Sequence, residues 1–385
     1  MANHPEYISI MAVTLAFDVM TTLPFAQLRL QHRPVRFAVL KFVNIGVNIF
    51  FNILFLSFFP YVQNHQPDSI LLNLYNPEFG IGYVFLSNLI ASFVLLLCLI
   101  PQMKVRWILD WPLLKKMLAY SFPIFIVGVT GQINQNIDKI LLPKLLDPSQ
   151  EPMKQLGIYG TAFKMAVLLN MFIQAFRFAF EPFFFSQKND IDTKKVYALI
   201  MKYFSILGLI IFLGISTFTD LIMKIVASQY RDAAGVVPII LMANFFMGIY
   251  FTLSLWYKVT DKTKFGAYFG ILGSVVTILL NVLLIPVMGY YGSAIAILLC
   301  FVLMTVFSYS LSLKHYPVPY DLKSFFFYLF SSIFLFALFW FVFRGNGIWQ
   351  YGWALLFNLI FWGLIFLREK QEFSSLFLQK DKKPL

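Results

Sequence analysis

Charge is scarce in this chain, and sulfur scarcer. Of 385 residues, 12% are charged and 59% hydrophobic, where soluble domains carry about 25% charged residues; the mean hydropathy is +0.75. That balance excludes an ordinary soluble enzyme and points to an all-α polytopic membrane protein. The two cysteines, Cys98 and Cys300, lie in apolar runs, so neither a disulfide framework nor a thiolate metal site is indicated. His4, His32, His65 and His315 show no ligand spacing, and no metal site is expected. No Walker loop, Rossmann fingerprint, G-x-S-x-G or H-E-x-x-H occurs. The connections are too short for a soluble catalytic domain, and a membrane-embedded glycosyltransferase finds no paired loop carboxylates to support it. Neither enzyme activity nor a cofactor is expected.

What the chain has is apolar runs of about 20 residues, the length that crosses a bilayer. They fall near 7–26, 37–60, 80–101, 117–142, 157–182, 197–220, 236–257, 265–287, 292–312, 324–343 and 351–367. Alternate connections, from RLQHRPVR to the tail beginning at Arg368, hold 20 of the 30 basic residues; the opposite set holds five, Lys144, Lys154, Lys224, Arg231 and Arg344. The positive-inside rule makes the first set cytoplasmic. The C-terminus is then inside and the N-terminus outside, and the net charge of +12 reflects loop topology rather than nucleic-acid binding. No basic n-region precedes the first run, so no cleavable signal peptide is expected. DLIMKIVASQYRDAAGVVP reads as a short interfacial helix leading into the next span.

Three spans carry polar stripes. In GIYGTAFKMAVLLNMFIQAFRFAFEPFFFSQ, read as one helix, Asn170, Gln174, Arg177 and Glu181 share an arc of roughly 60° with Tyr159 and Phe163, and Lys164 lies on its shoulder. In the second span Lys41, Asn44, Asn48 and Asn52 fall within roughly 80°. In the fourth, Gln132, Gln135, Asn136 and Lys139 share an arc of roughly 100° while Asn134 and Asp138 point elsewhere; Pro123, Gly128 and Gly131 permit bending or close helix approach there. A charge facing lipid at mid-membrane costs about 2.5–3.5 kcal/mol, so such stripes should face protein or a wet cavity. Blander readings stand beside this. Lys41 and Lys139 can snorkel from helix ends, Arg177 can neutralise Glu181, and the asparagines can bond helix to helix. Lys164, deeper and without an acid one turn away, favours a functional reading. Asp18, alone in the first span, is either a proton-linked carboxylate or the partner of a cation.

The stretches LLKKMLAYSFPI, NIDKILL and LGIYGTAFKMAVLLNMFIQAFRFAFEPFFFSQ resemble the second half of Wzx-like polysaccharide flippases. These belong to the multidrug/oligosaccharidyl-lipid/polysaccharide exporter superfamily. The opening YISIMAVTLAFDVMTTLPFAQLRLQHRPVRFAVLKFVNI resembles that family's fourth and fifth helices. The resemblance implies two six-helix lobes around a cavity plus two further helices. On that plan residues 1–105 are the remainder of an N-terminal lobe lacking its first three helices, 106–316 the C-terminal lobe, and 317–385 the extra pair and basic tail. It further implies a flippase of the bacterial cytoplasmic membrane. Polyprenyl-diphosphate-linked oligosaccharide would cross by alternating access, with membrane lipids and possible polymerase and glycosyltransferase partners in surface polysaccharide biosynthesis. Two other readings are a multidrug antiporter, which favours buried carboxylates over the mainly basic charge found here, and an inactive scaffolding subunit.

Overall fold

The computed structural model describes residues 5–31, 33–66, 75–103, 110–186, 191–260, 264–345 and 347–380, with Leu72 and Lys262. His4, His32, parts of the 102–116 and 183–196 connections and the last five residues lie outside them, as does the side chain of Glu181. Among the described residues there is no strand. Among the described residues ten helices are long and apolar enough to cross a membrane, and a bent pair, taken as one span, makes an eleventh. The chain is a multi-pass membrane protein, and the expected eleven spans are all present.

In order the helices are α1 (Pro5–Leu30), α2 (Pro34–Ile53), α3 (Gly82–Leu99), α4 (Trp111–Leu145), α5 (Pro152–Met165), α6 (Val167–Ser186), α7 (Ile191–Thr217), α8 (Val237–Leu253), α9 (Lys264–Met288), α10 (Tyr290–His315), α11 (Leu322–Leu338) and α12 (Trp349–Lys380). Helix is the form that satisfies every backbone group within its own segment, which lipid demands. After α2 a wide turn over Leu54–Phe58 leads into Phe59–His65; such a turn accommodates the ring of Pro60, which a regular α-ladder would press against a carbonyl. The interfacial helix expected after the sixth span is instead a series of short turns, Thr219–Ile222, Met223–Ile225 and Ser228–Gly235.

Contacts divide the chain into two compact units, Met1–Trp111 and Pro112–Leu385. In the first, α3 packs against both α1 and α2. Phe25, Leu28, Leu40, Leu95 and Leu99 form one cluster, and Phe55, Phe59 and Tyr83 another.

The second unit is built around α8, whose residues are almost all buried because it packs on α7 and α10. Tyr159, Tyr328, Phe204, Phe212 and Phe245 are among the largest side chains in its core. Without a hydrophobic drive between helices in lipid, close packing must hold them together. Gly248 shows how: a Cβ there would lie 2.5 Å from Phe204 and 3.1 Å from Ile173, so α8 comes as near to α6 and α7 as glycine allows. Gly289, at φ +58°, is the one residue between α9 and α10, and that left-handed backbone suits glycine. The side chain of Gln155 accepts from the Tyr290 amide at 3.2 Å, securing the turn.

Helices α11 and α12 pack on α7 within the same unit. The Lys202 ammonium lies 2.6 Å from the Glu369 carboxylate, to which the Tyr328 hydroxyl also donates at 2.6 Å. This ties α7, α11 and α12 through one buried carboxylate.

Candidate functional site

The span from Pro152 is not the single helix its hydropathy suggests. α5 and α6 meet at Ala166 with a bend of 47°. Ala166, fully buried, sits at φ −77°, ψ −1°, and its amide turns back to the carbonyls of Ala162 and Phe163. By contrast α4, with Pro123, Gly128 and Gly131, runs unbroken, and neither glycine has a neighbour within 4 Å of its Cβ position. The expected flexible point therefore lies one helix further along.

Beyond the bend, Asn170, Gln174 and Arg177 lie on one face of α6 at the spacing of successive turns. They share a cavity of about 400 Å³ with Gln135, Asn136 and Lys139 of α4. From α8 the cavity takes Asn244, Met247 and Phe251, again on one helical face. Lys139 donates to the Gln135 carbonyl at 2.7 Å, lies 3.3 Å from Asp138 and stands over the Phe163 ring at 3.9 Å. The guanidinium of Arg177 lies 4.4 Å from the centre of the Phe251 ring. The cavity thus offers two cations, each backed by an aromatic face, among amides. That set suits a ligand with phosphate oxygens and hydroxyls.

Asn134 and Asp138 point away from the cavity, as expected. Asn134 is buried, and its Nδ2 lies 3.4 Å from the Gly270 carbonyl; Asp138 is buried and accepts from the Tyr159 hydroxyl. Gln132 is exposed and accepts from Asn136 at 3.0 Å. Lys164 is exposed on α5 and does not line this cavity. The bend at Ala166 ends the continuous wheel that placed it beside Arg177.

Sequence reasoning passed over Asn244. It is 3% exposed, and its Nδ2 has no hydrogen-bond partner among the described residues; the Oδ1 of Asn170, in the same cavity, also has none. A buried amide without a partner costs roughly 1–3 kcal/mol. The signal was present, since Asn244 is the one amide in VPIILMANFFMGIYFTL.

The first unit has a cavity of its own, about 440 Å³, lined by Asp18, Thr21, Lys41, Asn44, Asn88 and Ser92 among others. Asp18 accepts from Ser92 at 2.7 Å, and Lys41 stands 4.6 Å from the Phe25 ring centre. Asn48 donates across to Asn88 of α3 and accepts from Asn52 at 2.8 Å. In the asparagine row, then, Asn44 faces the cavity while Asn48 and Asn52 make bonds within and between helices. Asn88 and Ser92 were also missed; each is a polar residue in an otherwise apolar span.

The course of the chain shows its fold. Over 94% of its length, and 74% of the other's, it superposes on a solved "Lipid II flippase MurJ, inward closed conformation" with a TM-score of 0.69 at 16% identity. The chain has the fold of that flippase. Residues 78–235 match the family described as "Polysaccharide biosynthesis protein". No curated protein matches the chain. The resemblance to Wzx-like flippases agrees with this flippase fold and with the family match in polysaccharide biosynthesis.

Proposed function

We propose that this chain is a flippase carrying polyprenyl-diphosphate-linked oligosaccharide across the cytoplasmic membrane for surface polysaccharide biosynthesis, by alternating access. The observation that carries this reading is the cavity of the second unit, where Lys139 and Arg177 stand among amides on three membrane-spanning helices. Cations at membrane depth are costly; Asp138, 3.3 Å from Lys139, offsets part of that cost, and an anionic headgroup would offset the rest. The planar fork of Arg177 fits a phosphate by two hydrogen bonds, while Lys139 acts as a point charge. Amides left over can bond sugar hydroxyls. The family match to polysaccharide biosynthesis and the flippase fold support the same reading. No covalent bond is made or broken, so no catalytic group is needed.

In this proposal Lys41 and Asn44 are ligand contacts of the first unit's own cavity, and Asp18 and Glu181 are the coupling candidates. The C-terminus is cytoplasmic, residues 317–385 are the extra helix pair and tail, and the polymerase and glycosyltransferases of the same glycan are partners. Replacing Lys139 and Arg177 together by Gln should lower surface polysaccharide at least tenfold at unchanged protein abundance, since each charge-assisted hydrogen bond is worth about 1.5–3 kcal/mol. Undiminished export, measured by glycan staining beside an immunoblot, would remove the basis of the proposal.

A further inference from the structure

Lys139 is the exposed half of an ion pair whose other half is held fast. Its ammonium lies 3.3 Å from Asp138 Oδ1, longer than the roughly 2.7–2.9 Å of a tight charge-assisted contact. The Lys139 side chain is 29% exposed and lines the second unit's cavity, whereas that of Asp138 is 1% exposed. Two bonds hold the carboxylate independently of the ammonium. The Lys139 backbone amide donates to Oδ1 at 2.8 Å, and the Tyr159 hydroxyl donates to Oδ2. The ammonium also donates to the Gln135 carbonyl at 2.7 Å and stands 3.9 Å from the centre of the Phe163 ring. Its three protons thus have a carbonyl, a carboxylate and a ring face to serve before any ligand arrives.

We infer that Asp138 is a positioning residue that competes with an anionic ligand for Lys139, and so keeps the ligand's affinity low enough for release. A phosphate oxygen that approaches the ammonium has to take the place of one of its acceptors. The contact with Asp138 is longer than the bond to Gln135 and is the one to give way. When the ammonium swings to the ligand the carboxylate stays behind, held by its two other donors, and its negative charge opposes the phosphate nearby. When the ligand departs, Lys139 returns to a partner that has not moved. A transported ligand must leave as readily as it binds, and a lysine with no counter-charge would hold a diphosphate too long. The inference rests on the proposed flippase function and assigns the release step to Asp138, which touches the ligand only through Lys139.

The test uses the full chain in immobilised lipid nanodiscs, with farnesyl diphosphate and farnesol as probes, and reads affinity and dissociation rate by surface plasmon resonance. D138N keeps the shape of the side chain and removes its charge. It should bind farnesyl diphosphate about three- to tenfold more tightly than the wild type, and release it more slowly to match. Farnesol binding should not change. In cells the same variant should export less surface polysaccharide at equal protein abundance. A group that merely supports the fold gives the opposite sign, weaker binding. In a K139Q background D138N should change affinity by less than about twofold, because the competition has lost its object; in an R177Q background its effect should persist. D138N leaves Lys139 without a counter-charge, so it should melt lower than the wild type and gain more from added diphosphate. Recovery of folded D138N only when it is prepared with farnesyl diphosphate is the same result in another form. Weaker or unchanged binding by D138N, tighter binding with undiminished export, a full effect in the K139Q background, or no folded D138N under either condition would overturn the inference. Failure of the flippase reading looks different, because the wild type would then bind farnesyl diphosphate no better than farnesol.

Discussion

Gly248 holds α8 close to α6 and α7, and its neighbours Met247 and Ile173 line the cavity. A Cβ at this position meets Phe204 and Ile173, both buried. Gly248→Val is therefore expected to cost about 1–3 kcal/mol by overpacking, read as a lower melting temperature in detergent. Gly128→Val, where nothing lies within 4 Å, is the control and should change it little. Single residues are also where sequence reading is weakest. Lys139, Arg177 and Asn170 were legible as polar groups on helical faces. Asn244 was not singled out, because one amide in an apolar span has no periodicity to join.

Helix ends and breaks obey local chemistry in some places and packing in others. Asp321 caps α11, accepting from the Ser324 amide at 3.0 Å and from its hydroxyl. Both bonds hold the Asp321 carboxyl below the usual carboxylate range. A depressed carboxylate stabilises the fold above its unfolded value, near pH 4, and that contribution disappears as acidification passes the lower folded value. Asp321→Ala is expected to cost about 0.5–2 kcal/mol at neutral pH. The gap in melting temperature from wild type should close as the pH is taken down through the folded value. That cap could be read from Asp321-x-x-Ser324 ahead of an apolar run. The bend at Ala166 could not. Lys164–Val167 contains neither proline nor glycine, and the residues that do favour a bend, in α4, are in an unbroken helix.

Eleven spans, counting the bent pair as one, alternate across a bilayer, and the direction proposed for them rests on the uneven distribution of Lys and Arg. The proposed topology has a direct check. In a background without Cys98 and Cys300, a cysteine at Ser149, in the turn between α4 and α5, should react with a membrane-impermeant maleimide in intact cells. One at Lys314, at the end of α10, should react only after the membrane is opened. The reverse pattern would invert the orientation and with it the direction assigned to transport.

Hydropathy and charge bias are sums along a line, and each span pays for its own insertion. They therefore dictated the membrane class, the eleven crossings, the all-helical form and the candidate polar faces without help from the rest of the chain. Cavity membership depends instead on how one helix is rotated and bent against another. The break at Ala166 separates Lys164 from Arg177, and the close approach of α8 to α6 at Gly248 and Ile173 accompanies one cavity lined by Asn244 and Asn170. Those placements come from packing between residues distant in sequence, and packing alone chose which polar groups share the cavity.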